Sequence, residues 1–363
     1  MTTKRYLPPS ALYSFFEGLP ETVSRKVIGR SVNDLPISLL TLGKGKVKIL
    51  MWSQMHGNES TTTRALLDFI PWFVDTPQKH LQEAFTLCVI LQLNPDGAQA
   101  YTRLNANGID LNRDAVDLTQ PESKVLHDLY TLEKPDYCLN LHGQRTLFAA
   151  GKMGETASIS FLAPSADEAR TVTAPRKKAM QLIVELKNGL QDALPNQIGR
   201  YDDAFNPNCV GDKFTQLGTP TVLFEAGHVP NDYQRETTRR HLFKSFGLLL
   251  ETLLEDNFDH PTEAYYAIPE NAKDFVDLII TGVTVTEDEN SYAEQELAIH
   301  YKEELRDDAI VFLPEMKFFG VKLPLKAHKK IILPEELKNI SLQFKKDNLL
   351  ENLDFVSLCS IKA

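Results

Sequence analysis

Val47-Lys48-Ile49-Leu50-Met51-Trp52-Ser53-Gln54-Met55-His56-Gly57-Asn58-Glu59 decides how the chain is read. An apolar run of strand length ends in a histidine, a glycine and a carboxylate. Two more runs end the same way. Tyr137-Cys138-Leu139-Asn140-Leu141 leads into His142, and Thr221-Val222-Leu223-Phe224 leads into Glu225. Ligands of open α/β sheets bind at the carboxyl ends of the strands. His56, Glu59 and His142 are therefore candidate metal ligands, and Glu225 is a candidate base. Catalytic zinc sites take three nitrogen or oxygen ligands and keep a fourth position for water or substrate.

Between residues 45 and 255, short apolar strand candidates alternate with longer helical patterns. The strands are expected at Val47–Ser53, Thr86–Leu93, Asp136–Leu141 and Thr221–Glu225. Helices are expected at Ser60–Val74, Lys177–Leu194 and Asp232–Leu254, and the i, i+3 spacing lets His56 and Glu59 converge if the chain is turning into a helix there. Val27–Leu42 reads as a strand pair turning at Asn33-Asp34. The fold class that follows is α/β, a mixed, mostly parallel central sheet flanked by helices. Composition shifts near 256–262, so 1–258 is expected to form the main unit and 259–363 a small β-rich domain. Its strand candidates are Phe275–Val285, Ile310–Leu313, Lys317–Val321 and Lys330–Leu333, punctuated by Pro314, Pro324 and Pro334.

Composition excludes several function classes. A formal charge of −10 argues against phosphate-backbone or anionic-membrane partners, so neither nucleic acid nor membrane is expected. The four cysteines are widely spaced and suggest neither a zinc knuckle nor a disulfide framework. No apolar run reaches the length of a membrane span, and the first residues lack a signal-peptide pattern. A cytoplasmic protein is the expectation.

The stretch between the two histidines is the most specific. Asn94-Pro95-Asp96-Gly97 is turn chemistry, followed by Arg103 and by Gly108-Ile109-Asp110-Leu111-Asn112-Arg113-Asp114. Arginine forks recognise carboxylates and stabilise oxyanions. Taken together, His56-x-x-Glu59, Asn94-Pro95-Asp96-Gly97, Arg103, Asp110-Leu111-Asn112-Arg113, His142 and Glu225 resemble the ordered motifs of the zinc metallocarboxypeptidases, carboxypeptidase A/B-like. That resemblance implies one zinc ion per chain on His56, Glu59 and His142. Arg103 would polarise the scissile carbonyl, Asn112 and Arg113 would grip the terminal carboxylate, and Glu225 would act as base and then acid. Tyr201 is the candidate for the substrate-binding tyrosine, with Tyr233 the weaker one, and Asp212 lies where side-chain selectivity would be set.

Two departures stand out. Asp114 replaces an asparagine expected after Asn-Arg, and Ala115 an aromatic. His228, three residues past Glu225, is read as lying behind the ligands or in the cleft wall. The reading is a carboxypeptidase acting on a peptide with a free carboxylate. The alternatives are an N-acyl amino acid deacylase, like aspartoacylase or succinylglutamate desuccinylase, and a non-catalytic binding module.

Overall fold

A computed structural model describes residues 4–360. Its centre is an eight-stranded sheet, ordered Ser24–Arg30, Pro36–Gly43, Phe85–Ile90, Val47–Ser53, Tyr137–Gly143, Thr221–Ala226, Ile159–Leu162 and Ile198–Arg200. The four middle strands run parallel, and antiparallel pairs flank them. The mixed, mostly parallel sheet expected from the sequence is therefore present. All seven residues of Tyr137–Gly143 except Gly143 are buried, as a strand covered on both faces requires.

Helices Thr61–Val74, Ala174–Leu190 and Glu236–Glu255 cover one face. They enclose a core containing Leu66, Phe69, Ile183, Phe224 and Phe246. Pro121–Glu133 and Val210–Gln216 cover the other face, over Trp52, Leu126, Cys138 and Phe214. The expected helices are found with shifted ends. The third begins at Glu236 rather than Asp232, because Asp232 accepts the N–H groups of Glu236 and Thr237 and Arg235 adopts a left-handed φ of 59°. The short strands Ile159–Leu162 and Ile198–Arg200 carry too few residues to stand out as periodic runs.

A second, five-stranded sheet follows, built on Phe275–Glu287, Asn290–Arg306, Ala309–Gly320, Lys326–Ile332 and Ser341–Gln343. The β-rich character of this region was legible, but its longest strand was not. Asn290–Arg306 buries only Gln295 and Leu297–His300, and its charged ends hide the alternation. The segments expected at 310–313 and 317–321 are one strand, Ala309–Gly320, with Pro314 inside it. Tyr265 and Ile268, past the expected boundary, belong to the first core.

The middle strands set the site. Register places His142 beside Glu225 and Leu141 beside Ser53, so the chain that leaves Ser53 for His56 starts from the same sheet edge. Gly57 makes that exit possible: a Cβ there would lie 1.9 Å from the carbonyl carbon of Gly97. Gly57→Ala should therefore cost about 1–3 kcal/mol of stability, measured as a lower denaturant midpoint. An unchanged midpoint would show that the two loops separate freely.

Candidate metal centre

Glu59 is the hub of the site. Its residue lies in a turn rather than in the helix, which begins at Thr61, and its N–H bonds the His56 carbonyl at 3.0 Å. The i, i+3 pair thus converges through a turn. Glu59 Oε1 lies 2.9 Å from His56 Nδ1, while Oε2 lies 3.1 Å from His142 Nδ1 and accepts the Gly143 N–H at 2.9 Å. Ligand atoms of His56, Glu59 and His142 all fall within 4.8 Å of one another. Among the described residues they form the one such group of histidine, cysteine or acidic side chains.

The donor set fits a zinc ion. The two Nδ1 atoms are 3.2 Å apart. Two nitrogens at about 2.0–2.1 Å from one ion in a tetrahedral set would be separated by roughly 3.3–3.4 Å. Two imidazole nitrogens facing one carboxylate at this distance need a cation between them, whether a proton or a metal. Asp110, quoted in the sequence motif without a role, accepts from His56 Nε2 at 2.9 Å and orients the ring. Its own Oδ1 also takes the Asn112 N–H, so one carboxylate links the ligand histidine to the Asn112-Arg113 turn.

The protonation pattern follows from these contacts. Burial opposes the His56 charge, but Glu59 and Asp110 outweigh it and push His56 up to about 9. Burial works against the Glu59 charge, and His56 and His142 overcome it, holding that carboxyl well below its usual range. His142 moves the other way. It is fully buried, and desolvation lowers it despite Glu59. Glu225 is raised well above the ordinary glutamate value, first by burial and then by the Glu59 charge. Its Oε2 is buried and has no hydrogen-bond partner.

Arg103 reaches both acids, at 3.3 Å from Glu59 Oε1 and 3.1 Å from Asp110 Oδ2. Among the described residues, Arg113 has no carboxylate within ion-pair distance. Its guanidinium contacts the Asn112 carbonyl at 2.7 Å and Cys209 Sγ at 3.0 Å. Asn112 Oδ1 accepts the Val210 N–H, so its remaining side-chain function is the Nδ2 donor. All eight candidates, His56, Glu59, Arg103, Asn112, Arg113, His142, Tyr201 and Glu225, line one cavity of about 830 Å3.

The tyrosines separate clearly. Tyr233 donates its hydroxyl to Asp277 at 2.9 Å, whereas Tyr201 is packed only edge-on against Phe148. Burial, with Glu225 and Glu59 nearby, pushes Tyr201 up to about 12, so its hydroxyl stays a donor. Asp114 accepts the N–H groups of Thr119 and Gln120, a loop-building role that accounts for its departure from the family pattern. Asp212 lines the cavity with Asn140, whose amide is buried without a partner; burial raises Asp212 to about 6. Nothing in the sequence marked Asn140, because its neighbours read simply as strand. His228 packs against Tyr233 and His328 and is not among the cavity-lining residues, so it does not form the cleft wall.

Comparison with known proteins agrees with this geometry. Residues 11–191, which include His56, Glu59, Arg103, Asn112, Arg113 and His142, match the family described as zinc carboxypeptidase. Carboxypeptidase SOL1 of Arabidopsis thaliana is 30% identical over 145 residues, 34% of this chain and 27% of that protein. An uncharacterized protein of Zymomonas mobilis is 24% identical over 180 residues, 42% of this chain and 47% of that one. The chain thus spans about a quarter to a half of the curated relatives it matches. A metallo-carboxypeptidase structure from Burkholderia cenocepacia superposes with a TM-score of 0.56 at 18% identity, covering 70% of each chain, which shows the shared fold. With the motif order, the sheet and the clustered donors in agreement, the chain belongs to the zinc carboxypeptidase family.

Proposed function

We propose that this protein is a zinc-dependent metallocarboxypeptidase that hydrolyses the C-terminal peptide bond of its substrate. The observation that supports it best is one cavity holding the His56–Glu59–His142 donor set, the unpartnered Glu225 oxygen and the carboxylate-free Arg113. A zinc ion on the three donors would activate water and polarise the scissile carbonyl. Every other part of the reaction falls to side chains of this chain.

Arg113 and the Asn112 Nδ2 bind the substrate's terminal carboxylate, a pairing that suits a planar fork and an amide donor. Arg103 turns from Glu59 toward the carbonyl oxygen and stabilises the charge that develops there. Glu225 takes a proton from water and delivers it to the leaving amine. Burial raises its proton affinity, as a carboxylate that must hold and then release a proton near neutrality requires. Tyr201 donates to the substrate from the cavity wall. The substrate is a peptide, or an N-acyl amino acid, with a free carboxylate.

Metal binding must displace the proton that His56 holds between Glu59 and Asp110. Because His56 is raised to about 9, zinc stabilisation should grow as pH rises from 6 toward 9. At 100 times its dissociation constant, zinc should add about 2.7 kcal/mol, read as a higher melting temperature. His142→Ala should abolish that shift; a shift that survives the substitution would place the ion elsewhere.

Glu225→Gln should lower kcat by about 10²–10⁴-fold. It should also stabilise the metal-free protein at neutral pH. A carboxyl raised on folding favours the folded state below its unfolded pKa and loses that contribution as pH rises through the folded value, so the variant's advantage should vanish near pH 4. Activity equal to the parent would remove Glu225 from the chemistry. Arg113→Ala should raise KM for free-carboxylate peptides about 10–100-fold while leaving C-terminally amidated analogues at their already low rate. Equal losses on both would assign the terminal carboxylate to another group.

A further inference from the structure

The C-terminal sheet contributes to the lining of the cavity that holds the metal donors. Asp277, Tyr301, Lys302, Glu303, Phe312 and Glu315 line the same space as the metal donors, although the nearest of them follows Glu225 by more than fifty residues. We propose that this sheet is a fixed end wall on the acyl side of the substrate, restricting the enzyme to short substrates. The inference rests on the carboxypeptidase reading, because that reading defines which end of the substrate faces the wall.

Direction comes first. Arg113 and Asn112 are held by Cys209 and Val210, at the start of helix Val210–Gln216. The wall is held by Thr146, Tyr233 and Arg5, a set sharing no residue with the first. With the terminal carboxylate on Arg113 and the scissile bond at the donors, the lining left to the acyl portion includes the sheet residues.

Distance comes next. Thr146 Oγ1 donates to Asp277 at 3.1 Å, and Thr146 is only four residues past His142. Four residues span at most about 14 Å. An extended peptide advances about 3.3–3.4 Å per residue, so no more than about four residues upstream of the scissile bond fit before the wall.

The wall is also pinned. The buried Asp277 carboxylate accepts from the Tyr233 hydroxyl at 2.9 Å, the Tyr301 N–H at 3.0 Å and His300 Nδ1 at 3.2 Å, besides Thr146. Tyr233 follows the strand of Glu225, and Thr146 the strand of His142. The sheet is therefore tied to both catalytic strands through one acid. Glu303 adds an ion pair with the buried Arg5 at 2.7 Å and accepts from Tyr101 at 2.5 Å. Phe312 packs edge-on against Tyr233, with ring centres 5.3 Å apart. Opening this wall would strand buried charges, which costs several kcal/mol. A peptide too long for the cavity cannot push the sheet aside.

The test uses zinc-loaded full-length protein and N-blocked peptides of two to twelve residues sharing the same last two residues. kcat/KM should fall at least tenfold once more than about four residues lie upstream of the scissile bond. Phe312→Ala should raise the twelve-residue to two-residue ratio of kcat/KM by fivefold or more. Lys302→Ala, an exposed side chain on the same wall, should raise it in the same direction and serves if the first variant folds poorly. Equal kcat/KM at every length, or a ratio unmoved by both variants, overturns the wall and leaves the carboxypeptidase reading standing. Absence of hydrolysis at every length overturns that reading and the wall with it.

Discussion

One half-buried carboxylate organises this protein. Glu59 is largely removed from water, yet it stays charged because two imidazoles, the Gly143 N–H and Arg103 surround it. A buried charge that loses its partners is costly, so the arrangement is self-enforcing. It also places a second acid, Glu225, where burial and the Glu59 charge outweigh the attraction of His56 and Arg103. The same local field thus keeps one carboxylate ionised and raises the proton affinity of the other. Two acids in one cavity acquire different chemistry from position alone.

The fold serves this constraint through strand register. Parallel strands end at a common edge, and the pairing of His142 with Glu225 brings the proposed ligand and the proposed base together without any long loop. Turn chemistry finishes the work. Asn94 accepts the Gly97 N–H at 2.8 Å, Gly97 packs against Gly57, and the Gly57 turn delivers Glu59. Asp110 connects His56 to the Asn112-Arg113 turn, so the proposed metal site and the proposed carboxylate site share a single side chain. The second sheet then meets the first through Asp277, so the cavity has contributions from chain segments that are remote in sequence.

Much of this was legible in the residues. The four central strands, the helix after Glu59 and all three proposed ligands could be read because buried strands and amphipathic helices have short, strong periods, and because the motif residues sit at strand ends. Other features could not. Asn290–Arg306 is polar and exposed at both ends, and only a few central residues are buried, so its pattern resembles a solvated segment. Asn140 looks like one more strand residue until the neighbouring strand and helix Val210–Gln216 close around it. The choice between Tyr201 and Tyr233 turned on one hydrogen bond to an acid forty-four residues away from the latter.

The sequence by itself determined the elements and the chemical inventory. Period and turn residues act over a few neighbours, and histidine, glutamate and arginine carry their chemistry wherever they are placed. Tertiary structure alone decided the protonation of that inventory and the shape of the cavity. Burial, the proximity of Glu59 to Glu225 and the share of the C-terminal sheet in the cavity lining arise from contacts between distant segments, and no local pattern encodes the electric field or the free space at a point where such segments meet.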